Sequence, residues 1–143
     1  MAGFDWFWKA MGGKQGRNQK RSLAIVDQAA ARVAKLNARS DADLVARARE
    51  ITASGEVADA AEFLAILSIA ATRTLEMTPF PVQLQAVLRL LEGDVIQMAT
   101  GEGKTLVGAM ANTGFGLMGK RVHSVTVNDY LAKGIAKDNI IIY

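Results

Sequence analysis

Asp94-Val95-Ile96-Gln97-Met98-Ala99-Thr100-Gly101-Glu102-Gly103-Lys104-Thr105-Leu106 carries two changes of pattern within a few residues. Asp94 to Met98 is a short β-type run, a glycine-rich turn follows it directly, and helical spacing resumes from Leu106 to about Met118. A turn of this kind between a strand and a helix, closed by Gly-Lys-Thr, is suited to phosphate. Gly101 and Gly103 permit backbone conformations that aim successive N–H groups inward and leave no Cβ in the way of phosphate oxygens. A helix opening at about Lys104 adds the positive end of its dipole. Lys104 would then reach the β and γ phosphates, and the Thr105 hydroxyl would ligate Mg²⁺. Met98 stands where the general pattern has its first Gly. A Gly-x-Gly-Lys-Thr run also arises by chance in turns, and it is the strand before and the helix after that favour the phosphate reading.

Upstream, Thr78-Pro79-Phe80-Pro81 blocks helix continuation, and Pro81 suits the first turn of a new helix that ends before Gly93. Gln83 sits early in that helix, and its amide offers an acceptor and two donors, the complement of an adenine N6/N7 edge. On spacing alone, an exposed polar position on an amphipathic helix is the simpler reading. Downstream, Arg121 to Val127 has the β-branched content of a second strand, and Asn128-Asp129 can cap a helix from Tyr130. Two β-turn-α units in series predict an α/β fold with a parallel sheet and covering helices. His123, the only histidine, falls within the second strand reading and is a packed or edge residue before it is a catalyst.

The first half reads as an α-helical lead-in without chemistry. Asn18 to about Asn37 shows apolar positions at helical spacing, Ser40 precedes acidic first-turn residues as an N-cap should, and a second helix runs to about Thr52. Ser54-Gly55-Glu56 is read as the start of a third helix, in which Ala61 to Leu75 is apolar enough to be buried on most of its circumference. Ahead of these, Phe4, Phe7, Trp8 and Met11 fall on one face of a short helix beside the flexible cationic stretch Gly12 to Gly16, a pattern that suits either a membrane interface or packing on a larger protein.

Composition limits the alternatives. With no cysteine and one histidine among 143 residues, disulfide frameworks, thiolate metal sites and His-cluster centres are excluded. Residues 1–21 hold five of the 17 Lys/Arg against one acidic residue, leaving 12 basic and 13 acidic residues on the rest. The net charge of +3 is therefore a short basic arm on a near-neutral body, not a basic face for nucleic acid. The longest strongly apolar stretch, Phe63 to Ala71, is far below the roughly 20 residues that span a bilayer, and the N-terminus lacks a signal-peptide core.

Arg73 to Leu84, Met98 to Leu106 and Val125 to Ala132 together closely resemble the first nucleotide-binding domain of SecA, the preprotein translocase ATPase, over about residues 73 to 133. Met98 in place of the first Gly fits that family, and the lead-in, particularly Asn18 to Ile51, looks more like the accessory actinobacterial paralogue than the housekeeping form. The resemblance implies a P-loop, RecA/helicase-like domain, incomplete here, and a division into an aromatic and basic arm (1–21), a helical lead-in (22–77), a partial nucleotide-binding domain with Q-motif, Walker A and motif Ia (78–133) and a divergent tail (134–143). It implies that Gln83 contacts adenine, that Gly101, Glu102, Gly103, Lys104 and Thr105 hold the phosphates of ATP and its Mg²⁺, and that Thr126 to Ala132 couples the nucleotide site to the motor. The implied partners are preproteins, a SecY-type channel, the missing remainder of the motor and, through residues 1–21, an anionic lipid surface, with no nucleic acid. The implied location is cytoplasmic, at the inner face of the plasma membrane.

The resemblance stops at Lys133, where the family continues with Arg-Asp-Ala and this chain reads Gly134 to Tyr143. No Asp-Glu pair after Val127 can serve as a Walker B carboxylate, and no residue can serve as an arginine finger, which is worth on the order of 10³ to 10⁵ in rate. The expectation for the chain alone is nucleotide binding at best, from a truncated or frameshifted gene product or a fragment that needs a partner. The alternatives are a DEAD-type nucleic-acid helicase fragment, which would share these motifs, and a remnant without function.

Overall fold

A helix apolar on most of its circumference has to be largely surrounded, and Ala61 to Leu75 is such a sequence. The computed structural model describes residues 5–126 and residue 133, with side chains for 18–126 and 133. The helices follow in the order α1 (Asp5–Leu36), α2 (Asp41–Ile51), α3 (Ala60–Leu75), α4 (Pro81–Leu91) and α5 (Lys104–Leu117). The apolar run is α3, and it packs against α1, α2, α4 and α5. Phe63 and Leu64 are fully buried at its centre, with Val26, Ile51, Val87, Val107 and Met110 in the same core. Each such side chain contributes about 1.5–3 kcal/mol by leaving water.

Local chemistry sets the boundaries. Ser40 caps α2 by accepting a hydrogen bond from Asp43 N at 3.2 Å, and Pro81 opens α4, both as the sequence predicts. The third helix begins at Ala60 and not at Ser54-Gly55-Glu56. Gly55 adopts φ +80 in a turn, and the Asp59 carboxylate accepts from Glu62 N at 3.0 Å to cap α3. The first helix extends from Asp5, well before Asn18, and passes through the Gly12–Gly16 stretch predicted to be flexible. Each glycine costs about 1 kcal/mol, yet once α1 is held by packing from Ser22 onward, every further residue adds a backbone hydrogen bond at no nucleation cost.

Ion pairs join the helices at their ends. Arg47 on α2 grips Glu62 on α3 through two hydrogen bonds of 2.9 and 2.8 Å, and Arg32 on α1 reaches Asp59 at 2.5 Å. Arg73 in the last turn of α3 pairs with Asp41 and donates to the carbonyls of Asn37 at 2.8 Å and Arg39 at 3.1 Å, tying down the α1–α2 connection. The Arg47 hydrogen bonds hold the Glu62 carboxyl below its ordinary value of 4.5, against burial. Burial raises the Asp59 carboxyl, but hydrogen bonds from Arg32 and the Glu62 backbone outweigh it, and the net shift is downward.

The predicted parallel sheet is not formed among the described residues. The segments 94–98 and 121–126 are neither helix nor strand, and Val95 and Val125 are 99% and 93% exposed. A strand exists only by pairing its N–H and C=O groups with a neighbour, and no described segment lies beside either one in a ladder. Among the described residues 5–126 the body is helical, and the sheet of the α/β prediction is not shown by them. The helix predicted from Tyr130 and the tail 134–143 lie outside the described residues.

The folded state binds protons at Glu62 and Asp59 less readily than the unfolded chain. These clamps therefore contribute in full above about pH 4.5 and are lost as pH falls further, so acid unfolding should begin there and Glu62→Gln should flatten the fall in denaturant midpoint. Two glycines on α5 should respond with opposite signs. A Cβ at Gly108 meets nothing within 4 Å, whereas one at Gly114 would lie 2.7 Å from Leu91 Cδ2 and 3.3 Å from Phe63 Cε1. Urea denaturation should show Gly108→Ala stabilising by about 0.5–1 kcal/mol and Gly114→Ala destabilising by about 1 kcal/mol.

Candidate functional site

Two helix N-termini meet where the glycine-rich turn lies. Pro81 fixes the entry of α4 and places Gln83 at its third position, where its Oε1 accepts from Phe80 N at 2.9 Å. The same amide donates from Nε2 to the carbonyl of Glu102 at 2.9 Å. Gln83 is only 6% exposed, so the exposed-surface reading of this position does not hold. Its burial could not be read from spacing, because the group that satisfies its nitrogen lies on the turn, 19 residues away.

The turn itself supplies the rest of the predicted set. Gly101 has φ +88, and Gly103, the N-cap of α5, has φ +78 and ψ 37. Lys104 and Thr105 are the first two residues of α5, both exposed, at the positive end of its dipole. The first-turn N–H groups of a helix have no partner within it and point outward from this end. At Gly103 a Cβ would lie 2.3 Å from Gln83 Nε2, so a side chain there is barred by contact as well as by conformation. Gln83, Glu102 and Gly103 are thus brought into one contact, with Gly101, Lys104 and Thr105 around it.

Sequence reasoning missed two members of this arrangement. Ala99 accepts from Lys104 Nζ at 2.6 Å through its carbonyl and donates through its N–H to Glu102 Oε2 at 2.9 Å. Phe80 presents a ring that is 68% exposed, three positions before Gln83. An aromatic flanked by two prolines was the available signal, because that backbone cannot continue the preceding helix and so displays its side chain.

The remaining predictions fall elsewhere. His123 is exposed, and Thr126 has a buried hydroxyl with no hydrogen-bond partner among the described residues. The rest of the Thr126 to Ala132 stretch lies outside those residues. Asn112 on α5 bonds Ser124 at 2.6 Å, which holds the 121–126 segment to this helix. Among the described residues there is no His/Cys/Asp/Glu group able to hold a metal, and no helix is long and apolar enough to cross a membrane.

Comparison with known proteins shows the family of the chain. The family model described as the SecA DEAD-like domain matches residues 7–143. Protein translocase subunit SecA 2 of Corynebacterium efficiens is 73% identical over 132 residues, which are 92% of this chain and 17% of that protein. SecA 2 of Corynebacterium diphtheriae is 65% identical over 93% of this chain and 17% of its own length. Protein translocase subunit SecA 3 of Mycolicibacterium vanbaalenii is 49% identical over 89% and 16%. The chain therefore spans about a sixth of the length of these relatives.

The contact between turn and α4 makes the two glycines unequal. Gly101→Ala meets open space and carries only the left-handed backbone penalty, about 1–2 kcal/mol. Gly103→Ala carries the same penalty and displaces a buried amide bonded at both ends, so thermal unfolding should register a total loss of about 2–4 kcal/mol.

Proposed function

The chain belongs to the SecA family, and from that premise we propose that it is the ATP-binding N-terminal portion of a SecA-type motor that couples ATP hydrolysis to preprotein export through the Sec channel. The observation that carries the nucleotide reading is the Gln83 amide joined to the Glu102 carbonyl of the glycine-rich turn. With Oε1 on Phe80 N and Nε2 on Glu102 O, the amide retains one acceptor lone pair and one N–H, which is what the N6/N7 edge of adenine takes. The exposed Phe80 ring offers a stacking surface for the base beside it.

The residues present fit ATP with Mg²⁺. Gly101 and Gly103 leave backbone N–H groups unshielded, Lys104 supplies a cation that is now spent on a single carbonyl, and Thr105 offers a hydroxyl one residue into the helix. Bound nucleotide would supply phosphoryl-transfer chemistry. This chain's residues bind the base, neutralise the phosphates and orient the ion. Hydrolysis in this class also draws on a carboxylate for Mg²⁺ and an arginine finger, which the site does not include, so the proposal for these residues is binding.

We assign residues 78–133 to the first nucleotide-binding domain, 22–77 to the helical lead-in, 1–21 to the arm and 134–143 to a tail. The parallel sheet of that domain belongs to the same proposal. A groove of about 730 Å³ opens beside 94–98, between that segment and α1 and α4, and Val95 stands fully exposed there, as an unpaired central strand would. Preproteins, a SecY-type channel and the remainder of the motor are the proposed partners. The arm, continued as helix by α1, is proposed to meet anionic lipid at the inner face of the plasma membrane. The relatives named above are protein translocase subunits, which favours a translocase over a helicase.

Titration with a fluorescent ADP analogue tests the proposal. Lys104→Ala should weaken binding at least about tenfold, as loss of a charge-assisted phosphate contact does. Equal, weak binding by the two chains would overturn the assignment of the turn to phosphate.

A further inference from the structure

Both peptide groups of Ala99 are held by charged side chains of the turn it begins. Its N–H donates to Glu102 Oε2 at 2.9 Å, and its carbonyl accepts from Lys104 Nζ at 2.6 Å and from Glu102 N at 3.4 Å. Residues 99–102 thus form a four-residue turn, closed once by its backbone and once by the carboxylate of its last residue. Gly101 takes the positive φ that the third position of a type II turn requires. The reciprocal pairing of Ala99 and Glu102 resembles a capping box, in which a side chain and a backbone group each satisfy the other's residue. Glu102 is exposed, so its carboxylate is retained here by the hydrogen bond and not by packing.

We propose that the Glu102 side chain is a positioning residue that sets nucleotide affinity by holding the empty turn in shape while placing a negative charge where phosphate must enter. This rests on the nucleotide reading of the turn and goes beyond it, since that reading uses only the backbone of Glu102. The two effects oppose each other. The bond to Ala99 N fixes the turn before ligand arrives and lowers the ordering cost of binding. The charge repels the phosphates that would enter the turn.

Substitution separates the effects. Glu102→Gln keeps an acceptor for Ala99 N and removes the charge, whereas Glu102→Ala removes both. Expected for Glu102→Gln is about three- to tenfold tighter binding of the ADP analogue, with an advantage that shrinks as salt is raised. Expected for Glu102→Ala is weaker binding than Glu102→Gln, by several-fold. A second measurement needs no nucleotide: the exchange of the Ala99 amide with water, followed by NMR at neutral pH. It should be slow in the wild type and in Glu102→Gln and about tenfold faster in Glu102→Ala, as for an amide released from a charge-assisted bond. Ala99 exchange equally fast in wild type and Glu102→Ala would overturn the proposal whether or not nucleotide binds, as would equal affinities of the Gln and Ala chains. Failure of wild type and Lys104→Ala alike to bind would instead remove the nucleotide reading, and the amide measurement would still decide whether Glu102 holds the turn.

Discussion

The burial of α3 on most of its circumference from Ala61 to Ala71 is the constraint from which the rest of the arrangement follows. A helix this rich in Ala, Leu, Ile and Phe exposes only its last turn, Thr72 to Thr74, so the neighbouring helices must present apolar stripes to the rest of it. α1, α2, α4 and α5 do so, and ion pairs tie α1 and α2 to the two ends of α3. The position of the site follows from this. α4 and α5 lie together on the same core, and Gly114 lets them approach to a distance that a single added carbon would disturb. Their packing brings the third residue of one helix against the N-cap of the other. Gln83 and Gly103 meet as a consequence of apolar burial elsewhere, and the polar contact between them then fixes the turn.

The site is economical in its use of groups. One amide closes the start of α4 and holds the turn, and one lysine donates to a carbonyl of that turn. Such reuse makes the turn depend on α4 for its shape, although the two lie on opposite sides of the 94–98 segment in sequence. A displacement of the Gln83 amide would therefore be felt at the glycine-rich turn through a single hydrogen bond.

Features decided by neighbours in sequence were legible, and those decided by distant partners were not. Ser40 and Pro81 act within a turn of where they stand, and both helix starts were read from them. Ser54 was read as the start of the third helix, whereas the cap is Asp59, whose carboxylate is also bound by Arg32 from α1, a partner 27 residues away. Asp94 to Met98 has strand composition, but composition gives only the capacity to pair, and the pairing partner is a separate matter. The glycine-rich turn was legible because its φ requirements are met by residue type alone. The burial of Gln83 was hidden because it depends on the same turn folding back from 19 residues downstream.

The Thr52 hydroxyl, shared between Ala48 O at 2.9 Å and Leu117 O at 3.0 Å, joins the end of α2 to the end of α5 across 65 residues of chain. Closing a loop of that length costs a flexible polymer about 4 kcal/mol of configurational entropy, several times what one neutral hydrogen bond returns. That bond therefore cannot be what brings α5 home. The helix that begins at the glycine-rich turn must dock as part of an apolar pair with α4, and Thr52 then fixes the depth to which it seats.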